Sequence, residues 1–446
     1  MRIKKFIYRL RLSFPYSRNG DTTNKKDLST SKMMTKKLEE YEWFCPQPFM
    51  NIVTDVFGKI KPCCVIKGNN AWDGDQTIEE YSKSDKLKQF RKEMLEGSGP
   101  TVKSNCEVCI EQEKHSPESH RKTYNGYLDH QKPELKKELE EYLETDMDTP
   151  FVRTMEWIAP TNFCNLRCHM CGSANSSSIA RENQKIGHPN VGLLGNKTLY
   201  KNDDKAESFI QECDDFVIDN LIELKLTGGE TLAIKYNYDL MKRIVERDLA
   251  KNMDLRITTN GTLTPKFDGK DIFDYIPEFK SCLINISIEG WGKRNEYIRY
   301  PSNWDVIYRN SKRFASIDNT KVLFVSTINS INVGYLWEIA RGMDHLLDEF
   351  PGSFYPFATG SLVWGWMEKY VITNVPPDIR EQYAQLYFEN WNKRYNQDFK
   401  KILDYLETLP YDEELMHKMM KDVKSRDINR GTCLLDLAPE WKSYYE

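Results

Sequence analysis

Three cysteines, Cys164, Cys168 and Cys171, fall within "TNFCNLRCHMCG" at residues 161–172, with gaps of three and two residues between them. Thiolates at such close spacing are metal ligands in a chain that keeps its thiols reduced. Structural zinc takes four closed ligands, often from paired CxxC units, and no fourth cysteine stands near this triplet. His169 lies between two of the cysteines, where its side chain points away from theirs. An iron–sulfur cube is also held by thiolates in a short cysteine run. Three thiolates on a four-iron cube leave one iron with an open position for a molecule that is not protein. The other cysteines form two tight pairs, Cys63 with Cys64 and Cys106 with Cys109, plus Cys45 and the isolated Cys213, Cys282 and Cys433. The last three read as small buried apolar residues.

Short apolar, β-branched runs alternate with longer amphipathic stretches from about residue 152, the pattern of β/α units around a parallel sheet. The runs are "RTMEWIAP", "LIELKLTGG", "LRITTNG", "LINISIEG", "VLFVSTINS" and "SFYPFATG". Several end in small or polar residues, namely Gly228, Gly229 and Glu230, then Thr259 and Asn260, Ser287, and Thr327 with Asn329. Functional groups of β/α barrels collect at these carboxyl ends. Ahead of the sheet, "MNIVTDVFGKIKPCC" reads as a hairpin turning at Gly58, and "TIEEYSKSDKLKQFRKEMLEG" as one helix with a Thr77/Glu80 capping box and Gly97 past its end. Residues 131–147 read as an exposed linking helix. The expected division is a loosely held basic and polar leader at 1–42, a cysteine-bearing unit at 43–150, a β/α unit at 151–375 and a helical region at 376–446. The aromatic stretch Phe354 to Tyr370 could wall a pocket, but core packing is the more common use of such residues.

"CNLRCHMC" resembles the CxxxCxxC signature of the radical S-adenosylmethionine (radical SAM) enzymes. "LTGGE", "TTNGT", "SIEG" and "STIN" follow at successive strand ends in the order that family uses, and the resemblance covers roughly residues 152–345. It implies a partial (β/α)6 TIM-like barrel in which Cys164, Cys168 and Cys171 hold a [4Fe-4S] cluster whose free iron binds SAM. Gly228, Gly229 and Glu230 would then face the SAM amino group. Thr259, Asn260, Ser287, Thr327 and Asn329 would face its ribose and carboxylate, with Arg299 as the basic carboxylate partner. The chemistry suits the residues. Glycines allow close backbone approach, a carboxylate pairs with an ammonium, and short hydroxyl and amide side chains pair with sugar hydroxyls. The implied reaction is reductive cleavage of SAM to a 5′-deoxyadenosyl radical, which takes hydrogen from a peptide or sugar-like substrate.

The N-terminal cysteines are similar to the twitch domain, a shortened SPASM domain. That resemblance implies a second, auxiliary [4Fe-4S] cluster on Cys45, Cys63, Cys106 and Cys109 for electron transfer, with Cys64 an alternative to Cys63. In many members this unit follows the barrel; here it precedes it. A four-cysteine zinc site uses the same ligands, so a zinc-binding adaptor is the competing reading. An electron donor such as flavodoxin or ferredoxin is the implied partner.

The bulk numbers agree with a protein of this type. The 446 residues suffice for two or three domains, and 39% hydrophobic with 29% charged residues is ordinary globular composition. A formal net charge of -4 is not that of a general nucleic-acid binder. The first 18 residues carry six Arg or Lys and no acid but lack the apolar run of a signal peptide, giving a cytoplasmic expectation with no transmembrane segment.

Overall fold

The computed structural model describes Leu38 and residues 41–66, 76–115, 119–145, 147, 150–189, 197–362 and 369–446. Most of the 1–42 leader and residues 363–368 of the aromatic stretch lie outside this set.

Six parallel strands form the centre of one sheet: β3 (Thr154–Ile158), β4 (Glu223–Thr227), β5 (Asp254–Thr259), β6 (Ser281–Ser287), β7 (Thr320–Ile328) and β8 (Ala358–Leu362). Helices follow in β/α order: α5 (Ser177–Lys185) and α6 (Asp203–Phe216) after β3, α7 (Lys235–Glu246) after β4, α8 (Lys293–Ile298) and α9 (Trp304–Ala315) after β6, and α10 (Leu336–Glu349) after β7. The α/β class and partial-barrel expectation are thus met. The last strand starts later than "SFYPFATG" implied, because Phe354 makes only an isolated bridge to Val322.

The sheet does not stop at β3. The predicted hairpin is present as β1 (Asn51–Thr54) and β2 (Ile60–Lys61), turning at Gly58 with φ +77°. β1 pairs in parallel with β3, so the full order is β2-β1-β3-β4-β5-β6-β7-β8. Thr54 reinforces the seam, its hydroxyl donating to the Ile158 carbonyl (2.9 Å) and accepting from the Ile158 amide (2.8 Å). The cysteine-bearing unit is therefore continuous with the barrel sheet.

Alternation along the strands explains the two faces. Leu224, Leu226, Leu255, Ile257, Ile284 and Ile286 are fully buried, and outer helices cover this side, with Trp157 of β3 stacked on Phe209 of α6 (centroids 4.6 Å apart). The intervening residues, Lys225, Arg256, Thr258, Asn285 and Ser287, are only half-buried. The inner face is thus polar, unlike the branched apolar layers that fill a closed barrel.

Part of that face is covered from the N-terminal unit by α3 (His120–His130). Tyr127 donates to Glu223 (2.9 Å) beneath the Arg256 guanidinium, which itself pairs with Glu223 (2.9 Å), and Lys132 pairs with Asp254. A cavity of about 120 Å³ remains there, lined in part by Tyr124, Glu156, Lys225 and Arg256.

Local expectations fared unevenly. The Thr77/Glu80 capping box and the left-handed Gly97 cap are present, but the predicted helix is two, α1 (Ile78–Lys83) and α2 (Asp85–Glu96). Ser84 breaks it by adopting an extended conformation and accepting from the Leu87 amide, the local competition that makes serine a cap. The linking helix α4 (Pro133–Leu143) is not exposed on all sides, since Leu135, Leu139, Tyr142 and Leu143 are buried. The C-terminal region is helical as expected, with α11 (Pro377–Glu389), α12 (Asn396–Thr408) and α13 (Glu413–Arg430). Cys213 and Cys282 are buried, Cys433 partly so, and Phe354, Phe357 and Tyr370 pack in the interior. Among the described residues no helix is long and apolar enough to cross a membrane.

Candidate active site

The three-cysteine loop joins β3 to α5, and several backbone carbonyls along it are tied down. The Phe163 carbonyl accepts from the Glu230 amide (2.8 Å), Cys164 from Ser178 (2.7 Å), Leu166 from Ser176 (2.7 Å) and Arg167 from Arg430 (2.5 Å). Arg167 and His169 donate their amides to Tyr300 (2.6 Å) and Ile298 (2.9 Å). A loop held this way presents its thiols without the entropy cost of ordering them on binding.

The Gly-Gly-Glu turn is one of the clamps. Gly229 has φ +41°, and a Cβ there would lie 2.2 Å from the Phe163 carbonyl oxygen. Gly228, at φ +91°, likewise leaves no room for a Cβ beside Ile158. Close backbone approach between the turn after β4 and the cysteine loop thus requires Gly229, while Gly228 lets the same turn pack on the Ile158 side chain of β3. Glu230 is fully buried; its carboxylate accepts from Thr259 Oγ1 (2.5 Å), the Asn260 amide (2.8 Å) and the Leu232 amide (3.1 Å), stitching the ends of β4 and β5 together. Burial pushes this carboxyl above its ordinary range, with those bonds offsetting part of the rise. Asn260 in turn donates to Asn165 in the cysteine loop (2.9 Å), and Asn165 to Thr262 (2.9 Å). Thr259, Asn260 and the Gly-Gly-Glu turn are therefore brought to the cysteine loop.

Arg299 and Asn329 join the same region through a residue the motifs had only bracketed, Glu289. Arg299 Nη2 donates to Glu289 (2.7 Å), while Nη1 lies 3.9 Å from Cys168 Sγ. Asn329 and Asn332 also donate to Glu289. Ser287 ends β6, and Thr327 lies near the end of β7, where its carbonyl accepts from Asn329 (3.1 Å) and Asn332 (3.0 Å). Burial raises the Cys164, Cys168 and Cys171 thiols, Cys171 to about 12; Arg299 opposes the rise at Cys168. Desolvated thiols of this kind ionise when a bound metal supplies the compensating charge. Arg299 Nε is a buried donor with no partner among the described residues, a second sign that the site accommodates a further group. His169 turns away, as expected: it stacks on Tyr297, and its Nδ1 lies 3.2 Å from the Tyr370 hydroxyl.

The N-terminal cysteines also converge. Cys106 falls between the helices Pro100–Asn105 and Glu107–His115, and Cys109 lies on the second. Burial, then Cys106 and Cys109, push the Cys45 thiol up; a hydrogen bond to Cys64, then burial and Cys45, raise Cys63; Cys109 is raised by burial and also by Cys64. Cys106 is pushed to about 12 by burial and Cys109. The five thiols are thus linked in a chain of electrostatic influence, with Arg121 opposing the rise at Cys45, Cys106 and Cys109. The set borders the inner face of the sheet: burial disfavours the charged Lys225 side chain, but Glu156 (2.9 Å) and then Cys64 hold it above its ordinary range. All eleven cysteines are free. Among the described residues no three His, Cys, Asp or Glu side chains are close enough to grip a single metal ion.

Residues 158–341 match the family model of the radical SAM superfamily. This is a radical SAM domain. The radical SAM match begins at the last residue of β3 and ends within α10, so it takes in the cysteine loop and every strand-end motif described above. The family implies an enzyme with a [4Fe-4S] cluster that uses SAM, a reductant and a substrate. No curated protein matches the chain.

Beneath the loop lies a network that sequence reasoning missed. Glu182 of α5 accepts from Arg426 (2.6 Å) and Arg430 (2.6 Å) of α13, and Arg426 also pairs with Asp422 (2.9 Å), all with buried side chains. These arginines hold the Glu182 carboxyl below its usual range even though burial opposes it. The network pins the C-terminal helix under the cysteine loop.

Proposed function

We propose that this radical SAM enzyme holds its SAM-binding [4Fe-4S] cluster on Cys164, Cys168 and Cys171. An auxiliary [4Fe-4S] cluster for electron transfer is held on Cys45, Cys63, Cys106 and Cys109. The substrate is a peptide or sugar-like small molecule, and the electrons come from a flavodoxin- or ferredoxin-type donor in the cytoplasm. The observation that carries the reading is the closure of the three-cysteine loop on the Gly228–Glu230 turn and on Asn260. When bound, the cluster and SAM supply one-electron cleavage to a 5′-deoxyadenosyl radical. The chain's own residues hold and orient. Gly228 and Gly229 let backbone approach the ligand, Arg299 offers a charge-assisted donor to the SAM carboxylate, and the remaining acceptor capacity of Glu230 serves the SAM ammonium. Lys225, on the inner face beside Cys64, and its partner Glu156 border the space for substrate.

Anaerobically prepared protein is expected to carry about eight irons and about eight sulfides per chain, two cubes on two thiolate sets. Iron and acid-labile sulfide analysis checks this. About four irons with one zinc would assign zinc to the N-terminal set, and stoichiometric zinc with little iron would overturn both assignments.

A further inference from the structure

Glu289 is a buried acid whose carboxylate is held entirely by protein groups. It is the second residue after β6, and its side chain is fully shielded from solvent. One carboxylate oxygen accepts from Arg299 Nη2 at 2.7 Å. The other accepts from Asn332 (3.0 Å), Ser326 (3.3 Å) and Asn329 (3.5 Å), all from the end of β7 and the turn after it. Its backbone amide donates to Asn295 of α8 (2.9 Å). The segment after α8 and the end of β7 with its turn therefore fix this carboxylate, and the carboxylate fixes Arg299.

Arg299 is also fixed from the other side. The backbone of the segment that carries it accepts from the cysteine loop at Ile298 and Tyr300, the bonds from His169 and Arg167 that bracket Cys168. With Nη2 held by Glu289, Nη1 is left 3.9 Å from Cys168 Sγ. Hydrogen bonds to cluster sulfurs and nearby charge set the potential of an iron–sulfur centre. A donor and a positive charge at the sulfur favour the reduced, more negative cluster.

We propose that Glu289 is a positioning residue that aims Arg299 at the Cys168 sulfur and balances its charge, so that the pair sets the reduction potential of the SAM-site cluster. This rests on the assignment of Cys168 as a cluster ligand. Two substitutions at Glu289 separate aiming from charge balance. Glu289→Gln keeps an acceptor of the same shape but leaves the Arg299 charge uncompensated, so the potential rises. Glu289→Ala removes charge and acceptor together, so Arg299 loses its orientation as well and the potential lies below that of Glu289→Gln. Arg299→Met, which removes charge and donor together, lowers it below wild type.

The test is a redox titration of the reconstituted full chain, followed on the EPR signal that responds to SAM, with iron content measured on each sample. A rise for Glu289→Gln, a lower value for Glu289→Ala than for Glu289→Gln, and a fall below wild type for Arg299→Met are the expected pattern. Should Glu289→Ala fail to fold, a rise for Glu289→Gln with a fall for Arg299→Met still supports the proposal. Unchanged potentials, or shifts in one direction for all variants, overturn the proposal and leave Glu289 a structural residue. Absence of a SAM-responsive cluster in the wild type would instead overturn the ligand assignment beneath it.

Discussion

The Cys164→Ala, Cys168→Ala, Cys171→Ala variant is expected to keep about half the wild-type iron and to release no 5′-deoxyadenosine from SAM. The two thiolate sets are separate in the fold, one in the loop after β3 and one around the helices Pro100–Asn105 and Glu107–His115, so the auxiliary site should load without the other. The loop itself should keep its course, because the Glu230, Ser176, Ser178 and Arg430 bonds reach its backbone rather than its thiols. Iron analysis with chromatographic assay of deoxyadenosine reads both effects. Loss of all iron would mean that the two sites depend on one another.

Glu182→Ala is expected to destabilise the protein by about 3–5 kcal/mol, the usual cost of leaving a buried charge without its partner. Glu182 has a fully buried side chain and faces both Arg426 and Arg430; Arg426 retains Asp422, whereas Arg430 retains the Arg167 carbonyl and the Tyr300 ring, and its Nη1 has no hydrogen-bond partner among the described residues. Arg243→Ala, which breaks a half-exposed pair with Asp214, is the contrast and should cost about 1 kcal/mol or less. Denaturant midpoints of the three proteins give the comparison. Equal midpoints for Glu182→Ala and Arg243→Ala would show that the buried network contributes no more than a surface pair. A weakened network should also loosen the cysteine loop, because Arg430 holds the Arg167 carbonyl.

What the sequence disclosed and what it hid divide along separation in the chain. The β/α alternation, the hairpin at Gly58, the capping box at Thr77 and the order of the strand-end motifs are local patterns, and the fold contains each of them. The parallel pairing of β1 with β3 had no local signal: "NIVT" reads as one arm of a hairpin whether or not a third strand joins it. The split at Ser84 was legible in hindsight, as a serine followed by an acid inside a helical run. Glu289 stood in plain view in "SIEG", yet only the approach of Arg299 and Asn332 gives it a role. Asn165, between two cysteines, carried a comparable signal as a polar residue able to reach a neighbouring strand end. Glu182 and Arg430, 248 residues apart, could not be paired from periodicity or spacing. The motif marks Glu230 as a ligand contact, and its three hydrogen bonds within the protein add a structural duty that a motif cannot reveal.

The most direct measurement of the central claim is 5′-deoxyadenosine formation by the anaerobically reconstituted wild-type chain given dithionite and SAM, without added substrate. The account predicts slow but clear release that requires both reagents and disappears in the triple cysteine variant. A fully iron-loaded wild-type protein that forms no 5′-deoxyadenosine, or a triple variant that forms as much as wild type, would contradict it.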